Sequence, residues 1–161
     1  MIKRTFKIYI ETSVWSHYYH DDVPERRDAT REFLDHINLS SYILYISPVV
    51  LREIGKSKPD KKEQLQRLIM KVKPTVLPPD ERIAQLADQY MEYNAIPVSK
   101  RDDALHVAHA SVYEMDALIS WNQKHLANLR RRSIVNAVNM QNGFMKPLEM
   151  LTVWEVMDYE E

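Results

Sequence analysis

Apolar positions along the chain follow two rhythms. Short continuous runs, Phe6-Lys7-Ile8-Tyr9-Ile10, Tyr42-Ile43-Leu44-Tyr45-Ile46 and Ala117-Leu118-Ile119-Ser120, are rich in β-branched and aromatic residues and predict buried strands. Lys71 to Leu77 predicts a further short strand, stopped by Pro78-Pro79. Elsewhere the apolar residues recur at helical spacing. Ala29, Phe33, Leu34 and Ile37 mark an amphipathic helix from Pro24 to Ile37. Ser47-Pro48 is an N-cap and first-turn pair that opens a helix through Ile54, which Gly55 can end. Lys58 to Met70 is a charged helix with Leu65, Leu68 and Ile69 inward, and Asp80 caps one carrying Ile83, Leu86, Ala87, Tyr90 and Met91. From Ser99 or Lys100 to Tyr113 the apolar face is broad enough to predict a mostly buried helix. A last helical stretch, Ile134 to Gln141, stops at Asn142-Gly143, and after Met150-Leu151 the run Thr152-Val153-Trp154-Glu155 fits a capping box. Continuous strands separated by helices argue for a parallel sheet covered on both faces, and such sheets bind ligands beyond the carboxyl ends of their strands.

Composition narrows the chemistry. With 161 residues, 45% hydrophobic and 28% charged, the chain reads as one globular domain spanning 1–161. It has no cysteine, which excludes a thiol nucleophile and cysteine-based metal sites. Its two glycines, Gly55 and Gly143, cannot supply a Walker A loop or a G-x-G-x-x-G turn. A net charge of −1 predicts no bulk attraction to a polyanion. The longest mainly apolar stretch, Tyr42 to Leu51, is half of the roughly 20 residues a membrane span needs. No apolar signal core follows the basic N-terminus. The expectation is a soluble cytoplasmic protein with no membrane partner.

The residues just after each strand therefore carry the functional question. Glu11 follows the first strand and Glu53 lies in the first turns after the second. Asp103 opens the buried helix, and Trp121-Asn122 with His125 follow the run at 117–120. Carboxylates gathered at one sheet edge repel one another, and oxygen-preferring divalent cations relieve that repulsion. Each residue also has a plainer reading. Glu11 can cap a helix starting near Ser13, Glu53 can be solvated charge, and Asp102 competes with Asp103 for the inward position. His106 and His109 fit packing or hydrogen bonding better than metal binding, and His125 fits a helix C-terminus as well as a site. Trp15, Tyr18 and Tyr19 fit core or a dimer interface, and an exposed patch around Trp15 and Tyr18 would suit the latter.

Four blocks taken in order carry a resemblance. They are Tyr9-Ile10-Glu11-Thr12-Ser13-Val14, Ser47 to Ile54, Asp102 to Ala110, and Leu118 to Leu126. Together they resemble the PIN-domain family, in particular bacterial toxins of the VapC type. That resemblance implies a three-layer α/β/α sandwich around a five-stranded parallel sheet, and a Mg²⁺- or Mn²⁺-dependent endoribonuclease held by a small antitoxin and pairing as a homodimer. The family's acidic positions would map to Glu11, Glu53 and Asp103 as metal ligands, with Asn122 beside them to orient water. Thr12 and Ser13 would bond either the carboxylates or the phosphate. Lys124 and the Arg130-Arg131-Arg132 run would contact the RNA backbone, with Lys56, Lys58, Lys61 and Lys62 as a second basic cluster. Two positions depart from the pattern: Glu11 stands where Asp is usual, and His125 where a fourth acid often stands. A weakly active or inactive RNA- or protein-binding module is the alternative. A phosphatase-like hydrolase lacks the nucleophilic Asp it would need.

Overall fold

The computed structural model describes residues 4–122 and 128–158. The chain opens with β1 (Phe6–Ile10), α1 (Thr12–His17), α2 (Pro24–His36), β2 (Tyr42–Ile46), α3 (Pro48–Gly55), α4 (Pro59–Val72) and β3 (Thr75–Val76). It continues through α5 (Glu81–Glu92), a 3₁₀ turn (Val98–Lys100), α6 (Arg101–Val112), β4 (Ala117–Ile119), α7 (Leu129–Gln141), β5 (Glu149–Leu151) and α8 (Val153–Asp158). The strands form one parallel sheet in the order β3-β2-β1-β4-β5. Helices pack as α5 with α6 and α7, and as α1 with α2, which in turn meets α8. The result is the three-layer α/β/α sandwich.

β1 is the centre of this arrangement. Tyr9 pairs with Tyr45 on one side and Leu118 on the other, and Tyr9 and Ile10 are fully buried. Chain order leaves β1 toward β2 on one side, and β4 flanks it on the other, so the connections diverge at the carboxyl ends of β1 and β4. Such a divergence opens a crevice. α6 is buried on nearly every side, and its polar members Asp103, His106, His109 and Ser111 are all in the interior. Burial of this kind requires partners, and His109 finds one in the carbonyl of Leu105, 2.8 Å from Nδ1.

Local signals explain most boundaries. Ser47 Oγ accepts from the amide of Val49 with Pro48 in the first turn, and Asp80 accepts from the amide of Arg82. Thr152 and Glu155 form the reciprocal capping box at 3.1 and 3.2 Å. Two boundaries differ from the sequence reading. Lys71 and Val72 extend α4, which ends where Lys73 adopts φ 59, leaving only Thr75 and Val76 as strand. α7 starts at Leu129 under an Asn128 cap, so Arg130 to Arg132 are helical; charge had hidden a turn whose own side chains carry no apolar period. Among the described residues no helix is long and apolar enough to cross a membrane.

Candidate metal centre

Glu11 is placed by the end of β1. Its amide donates to the carbonyl of Ile119 at 3.0 Å, tying the ends of β1 and β4 together, and its side chain caps α1 through the amide of Ser13 at 2.9 Å. The same oxygen, Oε2, also accepts the hydroxyls of Ser13 and, at 2.9 Å, Ser120. These hydroxyls accept in turn from the amides of Trp121 and Asn122, both at 2.9 Å. Glu11 is thus both the cap and part of the cluster. Its other oxygen, Oε1, lies 3.9 Å from His106 Nε2.

α3 brings Glu53 to the same place. Thr12 donates its hydroxyl to Glu53 Oε1 at 2.8 Å, and His106 Nε2 approaches that oxygen at 2.5 Å. Asp103, in the first turn of α6, is buried and accepts from Asn122 Nδ2 at 3.1 Å. Its neighbour Asp102 points to the rim and pairs with Arg52. Consecutive helical residues diverge by about 100°, so only one of the two can turn inward. A cavity of about 580 Å³ opens over Glu11, Glu53, Asp103 and Asn122, with Lys61 and Lys100 among its lining cations.

Charge in this cavity is uneven. Burial and then the negative charge of Glu11, with a further push from Glu53, raise the Asp103 carboxyl to about 6, against the pull of His106 and Lys100. Burial would also raise Glu53, but the hydrogen bond and charge of His106, with Thr12 and Arg52, leave it below the usual carboxylate range. For His106 burial favours the neutral ring, yet the Glu53 bond and the charges of Glu11, Glu53 and Asp103 hold it above the ordinary histidine value. Burial and the neighbouring carboxylates thus both disfavour the ionised form of Asp103.

Not every expected residue is here. Thr12 and Ser13 give their hydroxyls to Glu53 and Glu11, the first of the two alternatives for them. Arg130 is exposed on α7 and does not line the cavity, and of the second basic cluster only Lys61 does. Lys124 and His125 lie outside the described residues. For Trp15 the structure takes the core alternative, with Tyr18 and Tyr19 packed against that core, and corrects the expectation of an exposed aromatic patch. Trp15 is fully buried, its indole N–H donates to the carbonyl of Ile10 at 3.1 Å, and Tyr18 donates to Asp35 instead of joining an apolar surface.

His106 is the residue whose place the sequence reading missed. Its hydrogen-bonding role agrees with the sequence reading, and its partner is Glu53. The available signal was spacing: His106 follows Asp103 by three, which puts both on one helix face. Glu11, Glu53 and His106 each offer one ligand atom within 4.8 Å of the others.

The PIN-domain family profile matches residues 8–131. No curated protein matches the sequence significantly. Among solved structures, VapBC2 from Rickettsia felis bound to a DNA fragment from their promoter superposes with TM-score 0.54 at 12% identity, covering 91% of this chain and 98% of that one. FitAcB from Neisseria gonorrhoeae gives 0.56 at 14%, with the same coverages. VapBC-1 from nontypeable Haemophilus influenzae gives 0.54 at 14%, again covering 91% and 98%.

Proposed function

The chain belongs to the PIN-domain family, and we propose that it is a divalent-cation-dependent endoribonuclease, the toxin of a toxin–antitoxin pair. One observation carries the reading: carboxylates from three separate elements, Glu11, Glu53 and Asp103, converge with Asn122 in one cavity at the divergence of β1 and β4. The donor set fits Mg²⁺ or Mn²⁺. It is dominated by carboxylate oxygens, and Asp103 is raised by burial and then by the charges of Glu11 and Glu53, penalties that a bound cation would offset. A cation bound there would lower the pKa of a water and offset charge on a scissile phosphate.

The protein's own groups prepare that chemistry. Glu11, Glu53 and Asp103 are the ligands. Ser13 and Ser120 lock one Glu11 oxygen, which leaves Oε1 turned to the cluster. Thr12 orients Glu53, and Asn122 orients Asp103 while its amide can also position the attacking water. Lys61 and Lys100 line the cavity where an RNA backbone would pass, with Lys124 and Arg130 as further backbone contacts. The solved VapBC2 and FitAcB structures with which the fold superposes support a small antitoxin as partner. Homodimer formation and a cytoplasmic setting belong to the same reading.

The test is cleavage of a broad RNA pool with Mn²⁺ or Mg²⁺ against a chelated control. Wild type should cleave only with the cation. Asp103→Asn should reduce cleavage by orders of magnitude and Asp102→Asn far less. Absence of cation-dependent cleavage by wild type would refute the nuclease reading and favour an RNA- or protein-binding module.

A further inference from the structure

Resting on the cation site above, we propose that His106 is itself a ligand, and that its imidazole gives the site a mixed nitrogen and oxygen donor set favouring first-row transition ions such as Mn²⁺ over Mg²⁺.

The geometry argues from both ends of the ring. Nε2 is turned into the cluster, 2.5 Å from Glu53 Oε1 and 3.9 Å from Glu11 Oε1, and the three residues offer ligand atoms within 4.8 Å of one another. Nδ1 is held on the far side by the Tyr9 hydroxyl at 2.6 Å. That hydroxyl lies 2.7 Å from Ser47 Oγ, which is itself fixed by the amide of Val49 at 3.2 Å. Tyr9, Ser47 and His106 are all fully buried. An outer partner on one imidazole nitrogen is the arrangement that fixes a metal-binding histidine, because it sets the ring's orientation and leaves the other nitrogen for the ion.

The same chain of hydroxyls tolerates both states of the ring. With no cation bound, an Nε2–H donates to the Glu53 carboxylate while Nδ1 keeps its hydrogen bond with the Tyr9 hydroxyl. With a cation bound, the ring would keep one proton on Nδ1 for the Tyr9 hydroxyl, which could turn to Ser47, and the Nε2 lone pair would face the ion. The hydroxyls can rotate to serve either state, and the cation would take the place of the Nε2 proton, which leaves to solvent. The consequence for selectivity follows from ligand chemistry. Mg²⁺ holds to oxygen and water, whereas imidazole nitrogen stabilises transition ions.

The experiment uses the full chain with Mn²⁺ itself as probe. Free Mn²⁺ is followed by its electron paramagnetic resonance, Mg²⁺ competes in a second titration, and bound Mn²⁺ is examined by pulsed resonance in chains carrying ¹⁴N or ¹⁵N histidine. Wild type should show a histidine nitrogen coupling that changes with the isotope, and should prefer Mn²⁺. His106→Gln should abolish the coupling and shrink the Mn²⁺ over Mg²⁺ preference about tenfold or more. Should that variant fail to fold, Tyr9→Phe keeps every ligand atom but frees Nδ1, and should weaken Mn²⁺ about tenfold while changing Mg²⁺ less. Mn²⁺ bound with no nitrogen coupling, or with the coupling intact in His106→Gln, overturns this inference and leaves the nuclease reading standing. No Mn²⁺ binding at all overturns both.

Discussion

Replacing Asp103 with Asn should make the cation-free protein more stable while removing its chemistry. The Asp103 carboxyl is buried beside Glu11 and Glu53 and titrates near 6, about two pH units above an ordinary aspartate. A carboxyl that binds its proton more tightly when folded weakens the fold as pH rises from about 4 to about 6, and above that range its cost is complete. At about 1.4 kcal/mol per tenfold the gap amounts to roughly 3 kcal/mol. Discounted for a side chain at the edge of an open cavity, ~2 kcal/mol is the working figure. Asparagine is nearly isosteric and its carbonyl can still accept from Asn122, so the substitution removes the charge and keeps the contact. For a chain of 161 residues, ~2 kcal/mol corresponds to a rise in Tm of about 4–8 °C at pH 7.5. Melting wild type and Asp103→Asn in a chelating buffer at pH 4.5 and 7.5 measures this directly. The difference should be small at the lower pH and open at the higher. Asp102→Asn, which removes only the rim pair with Arg52, should change Tm little at either pH. If Asp103→Asn melts at or below wild type at pH 7.5, burial and the neighbouring carboxylates do not penalise the ionised Asp103 as the geometry requires.

Three further outcomes follow from the same contacts. Mn²⁺ at about 100 times its dissociation constant should stabilise wild type by roughly 2.7 kcal/mol, and the triple variant Glu11→Gln, Glu53→Gln, Asp103→Asn should lose that response in a thermal melt; equal shifts would place the ion elsewhere. Ser13→Ala removes the hydroxyl that bridges Glu11 and the amide of Trp121, and denaturant unfolding should show a loss of about 1–3 kcal/mol together with weaker cation binding. Thr152→Ala breaks the reciprocal cap of α8 and should cost ~1 kcal/mol in the same assay without touching cation affinity.

Strand and helix positions were legible wherever one short-range cause decided them. Phe6–Ile10 and Tyr42–Ile46 are strands because continuous β-branched and aromatic runs fit a sheet covered on both faces. Ser47 and Asp80 are caps because their side-chain oxygens satisfy first-turn amides. The failures lie where local signals compete. Lys71 and Val72 have strand-like neighbours, yet continuing α4 keeps their amides in the helical ladder until Lys73 turns left-handed. Trp15 beside Tyr18 and Tyr19 fits core or a dimer interface along the chain, and it is α1 that decides for the core by turning Trp15 inward to the end of β1. At the site, residue types and strand ends suffice to nominate Glu11, Glu53 and Asp103. The partners of His106 depend on the packing of α6 against β1 and α3, and no window of sequence contains that packing.

The length of Glu11 and the imidazole of His106 bear on the same ion. A glutamate at position 11 is one methylene longer than the aspartate usual at that place in the resembled family, and the structure uses the extra reach. Oε2 caps α1 and accepts from Ser13 and Ser120, while Oε1 still arrives 3.9 Å from His106 Nε2. An aspartate fixed by the same three donors would hold its second oxygen further from the imidazole. A short acid and an imidazole on α6 would therefore share one ion less easily than the pair present here. Glu11→Asp should accordingly weaken Mn²⁺ more than Mg²⁺, because it draws one carboxylate oxygen away from the nitrogen ligand and leaves Glu53, whose oxygen lies nearest that nitrogen, and Asp103 in place. Competitive titration of the two cations reads the difference. A uniform loss for both would mean that Glu11 contributes charge alone, and that its length has no part in choosing the ion.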